Sequence, residues 1–316
     1  MKPRRRDCDF YSICYNHEGI HEKEGTDVTI KDFRYDGGKK LNLKDVSTSA
    51  GEEKDHKAEL IHCTEANIMR ACELQEKLYA EGREGLIIAI QARDAAGKDS
   101  LIKKVFSSLN PAALEVHSFK SPNSNELAHD YLWRINAALP VRGKIGVFNR
   151  SQYEDVLVVK VHHMEKNYRM PSRCTQDDDF FSKRYRQIRN WEQYLYENGY
   201  RMVKLFLNVS RAVQKERFLE RIERDEKHWK LSTADMAERA AWDEYDKAYE
   251  DCINHTGTQE SPWYVVPADT KWYTRYLVSQ ILVDTLEEMH PEYPGLDPEE
   301  AAKIPIVMQQ LEEDGD

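Results

Sequence analysis

The residues of this chain best suited to chemistry lie in the run Gln91-Ala92-Arg93-Asp94-Ala95-Ala96-Gly97-Lys98-Asp99-Ser100. An Ala-Gly-Lys step that opens a helix can hold phosphate. Backbone N–H groups at the helix start face the anion, and the lysine reaches a more distal phosphate. The run departs from G-x-x-x-x-G-K-[ST]: Ala92 stands at the first Gly, Asp99 at the hydroxyl that binds Mg²⁺, and Ser100 comes one place late. Asp94 adds a condition, because a carboxylate facing a phosphate site makes sense when a metal ion or a proton lies between them. An ordinary strand–turn–helix has the same outline.

Two further constellations bear charge in useful patterns. Asn149-Arg150 follows the apolar run Ile145–Phe148, with Glu154 one helical turn on. An acid at such a strand end usually holds Mg²⁺; here the first polar residue is a neutral Asn, while Arg150 could clamp a phosphate bidentately. A strand end followed by an exposed helix start would look the same. Arg217, Arg221 and Arg224 recur at i, i+4 and i+7 and would share one helix face, a cationic lid for a polyanion. The plainer alternative is a solvated helix face laced with i,i+4 ion pairs. Lys183, Arg184, Arg186 and Arg189 form a second basic cluster, and no histidine has a partner at metal-ligand spacing.

These groups need a scaffold that brings distant segments together. Leu86–Ile90 is a short unbroken apolar run, the signature of a strand buried on both faces. Leu114–Phe119, Ile145–Phe148, Met202–Val209 and Trp263–Val266 read as further strands. Between them lie helical stretches: His56–Ala80, Ser100–Phe106, Pro122 to Leu139, Asp177–Asn198, Ser210–Asp251 with a break around His228–Ser232, and Tyr273–Glu288. Alternation of this kind predicts an α/β fold with a mainly parallel sheet and helices on both faces, and ligands at the carboxyl ends of the strands. Residues 1–55 read as a partly irregular arm, 56–290 as the main domain with a basic helical lid around 211–251, and 291–316 as an acidic tail broken by prolines.

Composition narrows the class. The chain has 316 residues, a net charge of −10 and 32% charged residues, which argues against general nucleic-acid binding. That charge is local: from Asp284 to Asp316 eleven acids face the single Lys303, so the rest is formally neutral and can carry basic patches. The six cysteines are scattered without C-x-x-C, as in a reduced cytoplasmic protein. Phe10–Tyr15 is too short and polar for a signal-peptide core, and no run reaches transmembrane length.

Several long segments together resemble the second polyphosphate kinase family, the polyphosphate:nucleotide phosphotransferases. They are GLIIAIQARDAAGKDS, SFKSPNSNELAHDYLWR at 118–134, LPVRGKIGVFNRSQYEDVLVVKVH at 139–162, LFLNVSRAVQKERFLERIERDEKHWKLS at 205–232 and WYVVPADTKWYTRYLVS at 263–279. The resemblance implies a P-loop kinase core, three-layered and similar to thymidylate kinase, with a helical lid. It also implies Mg²⁺-dependent transfer of the terminal phosphate of inorganic polyphosphate to a nucleotide. The family loop G-x-D-x-A-G-K carries over onto Asp94 and Lys98. The form FNRSxYEDV, with Asn149 where others carry Asp, looks like the branch that uses both AMP and ADP; a neutral Asn would lessen repulsion against an acceptor phosphate.

On this resemblance Asp94, Lys98, Arg150 and Glu154 are the expected catalytic residues, with Asp94 and Glu154 positioning either Mg²⁺, as its ligands, or the acceptor phosphate. Ala95, Ala96, Gly97, Asp99, Ser100, Lys103, Arg217, Arg221 and Lys230 are expected to bind phosphate or polyphosphate, and Arg93, Asn149 and Arg150 the nucleotide. Adenine nucleotides are the expected acceptors, with guanine left open. The family often assembles as homodimers or tetramers, and neither nucleic acid nor membrane is an expected partner. An ATP-dependent nucleotide or nucleoside kinase on the same core is the rival reading, and a catalytically inactive phosphate-binding protein a third.

Overall fold

A computed structural model describes residues 29–175, 179–230 and 232–314. Six strands form one sheet: β1 (Arg34–Tyr35), β2 (Gly85–Ala92), β3 (Leu114–Ser118), β4 (Ile145–Asn149), β5 (Tyr200–Asn208) and β6 (Trp263–Pro267), in the order β1-β6-β5-β2-β4-β3. All pairings are parallel except β1 with β6. β2 lies centrally, with Ile88 opposite Val147 of β4 on one side and Val203 of β5 on the other. Its alternate residues serve two cores. Leu86, Ile88 and Ile90 pack with Val278, Ile281 and Leu282, while Ile87 faces Trp191 and Leu195. This double burial is why the run is apolar throughout rather than alternating.

The helices α1 (Lys57–Glu81), α2 (Lys98–Val105) and α7 (Lys271–Glu288) cover one face; α3 (Phe180–Glu197) and α6 (Trp242–Thr256) cover the other. Between them in sequence lie α4 (Arg211–Glu223) and α5 (Ala234–Ala240). On the α3/α6 side Phe206 stacks on Tyr249 at 4.0 Å between ring centroids. The result is the three-layer α/β arrangement anticipated from the strand–helix alternation.

Four local expectations need correction. Residues 29–55 are more than an arm, because β1 extends the sheet and Thr48 bonds Asp269 through its hydroxyl at 2.7 Å. The single helix expected from Pro122 to Leu139 is two short turns, Ser124–Leu127 and Trp133–Asn136. Asp130 takes the Leu132 N–H at 2.9 Å between them, the local competition that interrupts helices at Asp. In the charged segment, α4 stops before the expected break: Arg224 is extended and His228 reaches back to the Ile222 carbonyl at 2.8 Å. A second break falls at Ala241, and α6 runs on to Thr256 with Cys252 and Ile253 in the core, so its second half is not lid. In the tail, Pro298 and Pro305 sit in the first turns of the helices Pro298–Ala301 and Ile304–Glu313, where a missing N–H costs nothing. The predicted start at Asp177 and residues 1–28 lie outside the described residues.

Candidate phosphate-transfer site

The site forms where β2 and β4 end side by side. Beyond Ala92 the chain turns through Ala95 at φ 60° and Gly97 at φ 111°, and α2 begins at Lys98. Gly97 is the residue for which the left-handed conformation is least costly. The Lys98 ammonium folds back onto the Ala92 carbonyl at 2.7 Å. Burial, then the nearby charge of Arg150, lowers its pKa to about 8. A lysine held this way is desolvated and gains strongly from an incoming anion.

Arg150 is the third residue of the site in a left-handed conformation, at φ 66°. For an arginine this costs on the order of 1 kcal/mol or more. The gain is direction. Its N–H continues the ladder onto the Ile90 carbonyl at 3.0 Å, while the guanidinium lies 3.0 Å from Asp94 and 3.4 Å from Glu154. Burial raises the Glu154 carboxyl above its ordinary range, with Arg150 pulling against it. Burial also pulls on Arg150, but Glu154 and Asp94 outweigh it and leave the guanidinium firmly charged. Gln91 steadies the far side: its amide is satisfied with nitrogen on Glu154 at 2.7 Å and oxygen on the Ser151 N–H at 2.9 Å. Asp94, Arg150 and Glu154 therefore line one cleft, and Lys98 lies close enough to feel the charge of all three.

The remaining expected residues divide. Asn149 donates to Asp99 at 3.1 Å, and Lys230 of the lid reaches the same carboxylate at 2.6 Å. The Ser100 hydroxyl accepts from Arg275 at 3.2 Å, and Lys103 is exposed one turn along α2. The cationic face expected of α4 is not there. Arg217 is buried and its guanidinium donates to the carbonyls of Ala95, Ala96, Ala268 and Asp269 at 3.2, 2.7, 2.7 and 3.1 Å. Arg221 lies 3.6 Å from Asp235, and Arg224, past the end of the helix, turns to Glu220 and Glu226. The second basic cluster also lies elsewhere, with Arg184 paired to Asp155 at 2.7 Å. Arg93 is buried against the rings of Trp242, Tyr249 and Phe206 and pairs with Asp246; burial pulls it down to about 10.

Reading the sequence missed Lys271 and Arg275 on α7. Arg275 touches α2 through Ser100, and Lys271 lies close enough to Arg217 for their charges to repel. Their spacing, i and i+4 just after a strand end, was the available signal. Also missed was the aromatic wall: Trp242, Tyr245 and Tyr249 close a cleft of about 440 Å³, its open mouth included, whose floor is Arg93, Asp94, Arg150 and Glu154. Among the described residues no three His, Cys, Asp or Glu side chains are grouped to hold a metal by themselves, and no helix is long and apolar enough to cross a membrane.

The chain was compared with known proteins. It is 44% identical over 288 residues to an ADP-polyphosphate phosphotransferase of Rhodopseudomonas palustris, covering 90% of this chain and 99% of that one. It is also 44% identical over 234 residues to an AMP/ADP-polyphosphate phosphotransferase of Meiothermus ruber, covering 74% and 83%. A crystal structure of polyphosphate kinase 2 from Arthrobacter aurescens superposes with a TM-score of 0.77 at 38% identity, over 88% of this chain and 96% of that one. The family model for polyphosphate kinase 2 matches residues 52–294, from the approach to α1 to just beyond α7. With its P-loop, its parallel sheet and this match, the chain belongs to the polyphosphate kinase 2 family.

Proposed function

We propose that this protein transfers the terminal phosphate of inorganic polyphosphate to AMP and ADP, forming ADP and ATP, and runs in reverse at suitable ratios. The observation that carries this reading is the convergence of Lys98, Asp94, Arg150 and Glu154 at the ends of β2 and β4. Lys98 exchanges its bond to the Ala92 carbonyl for an oxygen of the transferring phosphoryl. The backbone around Ala95, Ala96, Gly97, Asp99 and Ser100 cradles the same group, with Arg217 bracing the loop from behind. Arg150 takes the acceptor phosphate, and Arg93 and the aromatic wall line the acceptor's cleft. A phosphate nucleophile is already ionised at neutral pH, so positioning and charge neutralisation carry the rate.

Asp94 and Glu154 would hold Mg²⁺. Both are carboxylates on the cleft, hard oxygen donors that suit a cation completing its shell with water and phosphate oxygens. Held there, such an ion would supply positive charge to offset that of the transferring phosphate. Lys103, Lys230, Lys271 and Arg275 supply the basic surface for the donor chain, so donor binding weakens with salt.

The test is nucleotide production from purified protein, Mg²⁺ and polyphosphate, with AMP or ADP supplied separately beside a Lys98→Ala control. ADP and ATP from AMP, lost in the control, are expected. ATP from ADP alone would remove AMP as an acceptor. No product from either, with transfer from ATP to another acceptor, would replace this reading with an ATP-dependent kinase.

A further inference from the structure

Behind the Glu154 turn lies a charged pair that the chemistry above does not use. Lys204, in the middle of β5, and Glu192, on α3, are 0% and 2% exposed, with 2.7 Å between ammonium and carboxylate. Desolvating such a pair costs several kcal/mol per ion, and well-packed apolar residues of similar volume commonly serve stability as well or better. Val203 and Leu205 flank Lys204, so an apolar side chain would continue the strand's pattern. The reason for the charges is better sought in what else they touch.

Glu192 accepts from the Tyr153 hydroxyl and from the Gln152 amide at 3.5 Å, the two residues immediately before Glu154. Lys204 donates its other bond to the Thr256 carbonyl at 2.7 Å. Thr256 takes the Trp263 indole N–H on its hydroxyl at 2.9 Å, and the Trp263 ring packs edge-on against Tyr153 at 4.6 Å. The circuit closes on the turn Gln152–Asp155 from behind, while Gln91, bonded to Glu154 and Ser151, holds it in front. A carboxylate can accept from Tyr153, Gln152 and Lys204 together. An amide at position 192 would turn N–H groups toward donors.

We propose that Glu192 and Lys204 are positioning residues, whose ion pair fixes Tyr153 and Gln152 and so holds the Glu154 carboxylate against Arg150. The proposal rests on the functional reading of Glu154 given above. It places the determinant of the site's geometry a full layer away from the substrates, as supporting groups often do for the residues they orient.

The test pairs Glu192→Leu/Lys204→Met and Tyr153→Phe with a double-mutant cycle against Glu154→Gln. The double variant is expected to stay folded with an unchanged or higher Tm, while kcat falls about tenfold and KM for polyphosphate stays within about twofold. In the Glu154→Gln background the same changes are expected to alter kcat by less than about twofold, because the group they position is gone. Equal losses in both backgrounds, or full kcat in a stable double variant, would overturn the proposal. Should the double variant not fold, Tyr153→Phe decides by the same comparison. A crystal structure of either variant separates this idea from the functional reading: Glu154 displaced from Arg150 supports positioning, and an undisplaced Glu154 overturns it, whether or not the wild type makes nucleotide.

Discussion

Lys230 of the lid places its ammonium 2.6 Å from the Asp99 carboxylate at the head of α2, and the other oxygen of Asp99 takes the Asn149 amide at 3.1 Å. Three separate elements meet on one acid. Burial alone would raise the Asp99 carboxyl, but the Lys230 hydrogen bond and charge, with Asn149, outweigh it and hold it below its ordinary range. The pair is solvent-exposed on the Asp99 side, so its worth is at most about 1 kcal/mol. Its consequence is for charge at the site rather than for stability.

Asn149 therefore has a neighbour that excludes an acid. Asn149→Asp would set two carboxylates about 3 Å apart beside the phosphate cradle, where like charges resist joint ionisation. We expect it to raise KM for polyphosphate by about tenfold, and Asn149→Asp/Asp99→Asn to recover most of the loss. Steady-state kinetics on the four proteins of this cycle check it. A change confined to the AMP:ADP ratio, without rescue by Asp99→Asn, would instead favour the acceptor-repulsion reading of Asn149.

The role proposed for Lys98 predicts a basic limb. With its pKa at about 8 in the free protein, kcat/KM for polyphosphate should fall as pH rises through about 8. Lys98→Ala is expected to lose about 10²–10³-fold in kcat and to abolish this limb. Because the folded value lies below the unfolded one, the group's penalty on stability is fully present below about 8 and is relieved between there and about 10.4. Activity and denaturation profiles over that range measure both.

Arg217 braces the loop by four carbonyls. Arg217→Ala would take this donor from the Ala96 and Ala268 carbonyls, whose bonds to it are buried, at a cost of about 3 kcal/mol. Lysine, a point charge in place of a fork, should recover less than half of this. Chemical denaturation gives the stability change, and KM for polyphosphate reports the loosened loop.

Asp284 on α7 is raised by burial to about 6, against the Gln280 hydrogen bond at 2.7 Å that lowers it. A carboxyl raised on folding contributes stability below its unfolded value near 4, and that contribution is lost as pH climbs through about 6. Asp284→Asn keeps the bond from Gln280 and removes the charge. It should raise stability at pH 7 by on the order of 1–2 kcal/mol and flatten the curve between pH 4 and 6. Thermal melts of both proteins across that window test the sign.

The sequence alone carried the central strand, the loop with Asp94 and Lys98 in it, and the second strand ending at Asn149-Arg150. Each is a local pattern: an apolar run without alternation demands burial on two faces, and Gly97 before Lys98 demands a left-handed turn into a helix. What it could not carry was the direction in which a long side chain leaves its helix. Arg217, Arg221 and Arg224 have the spacing of one face, yet one braces a loop, one faces Asp235 and one lies beyond the helix end. Lys271 and Arg275, about 175 residues after the loop in the chain, stand beside it only because β6 lies next to β5 in the sheet. The pairing of Lys204 with Glu192 was likewise invisible, since either charge alone contradicts its buried strand or helix. Local backbone preference and burial are written residue by residue; the partner that makes a buried charge tolerable is chosen only when distant elements pack.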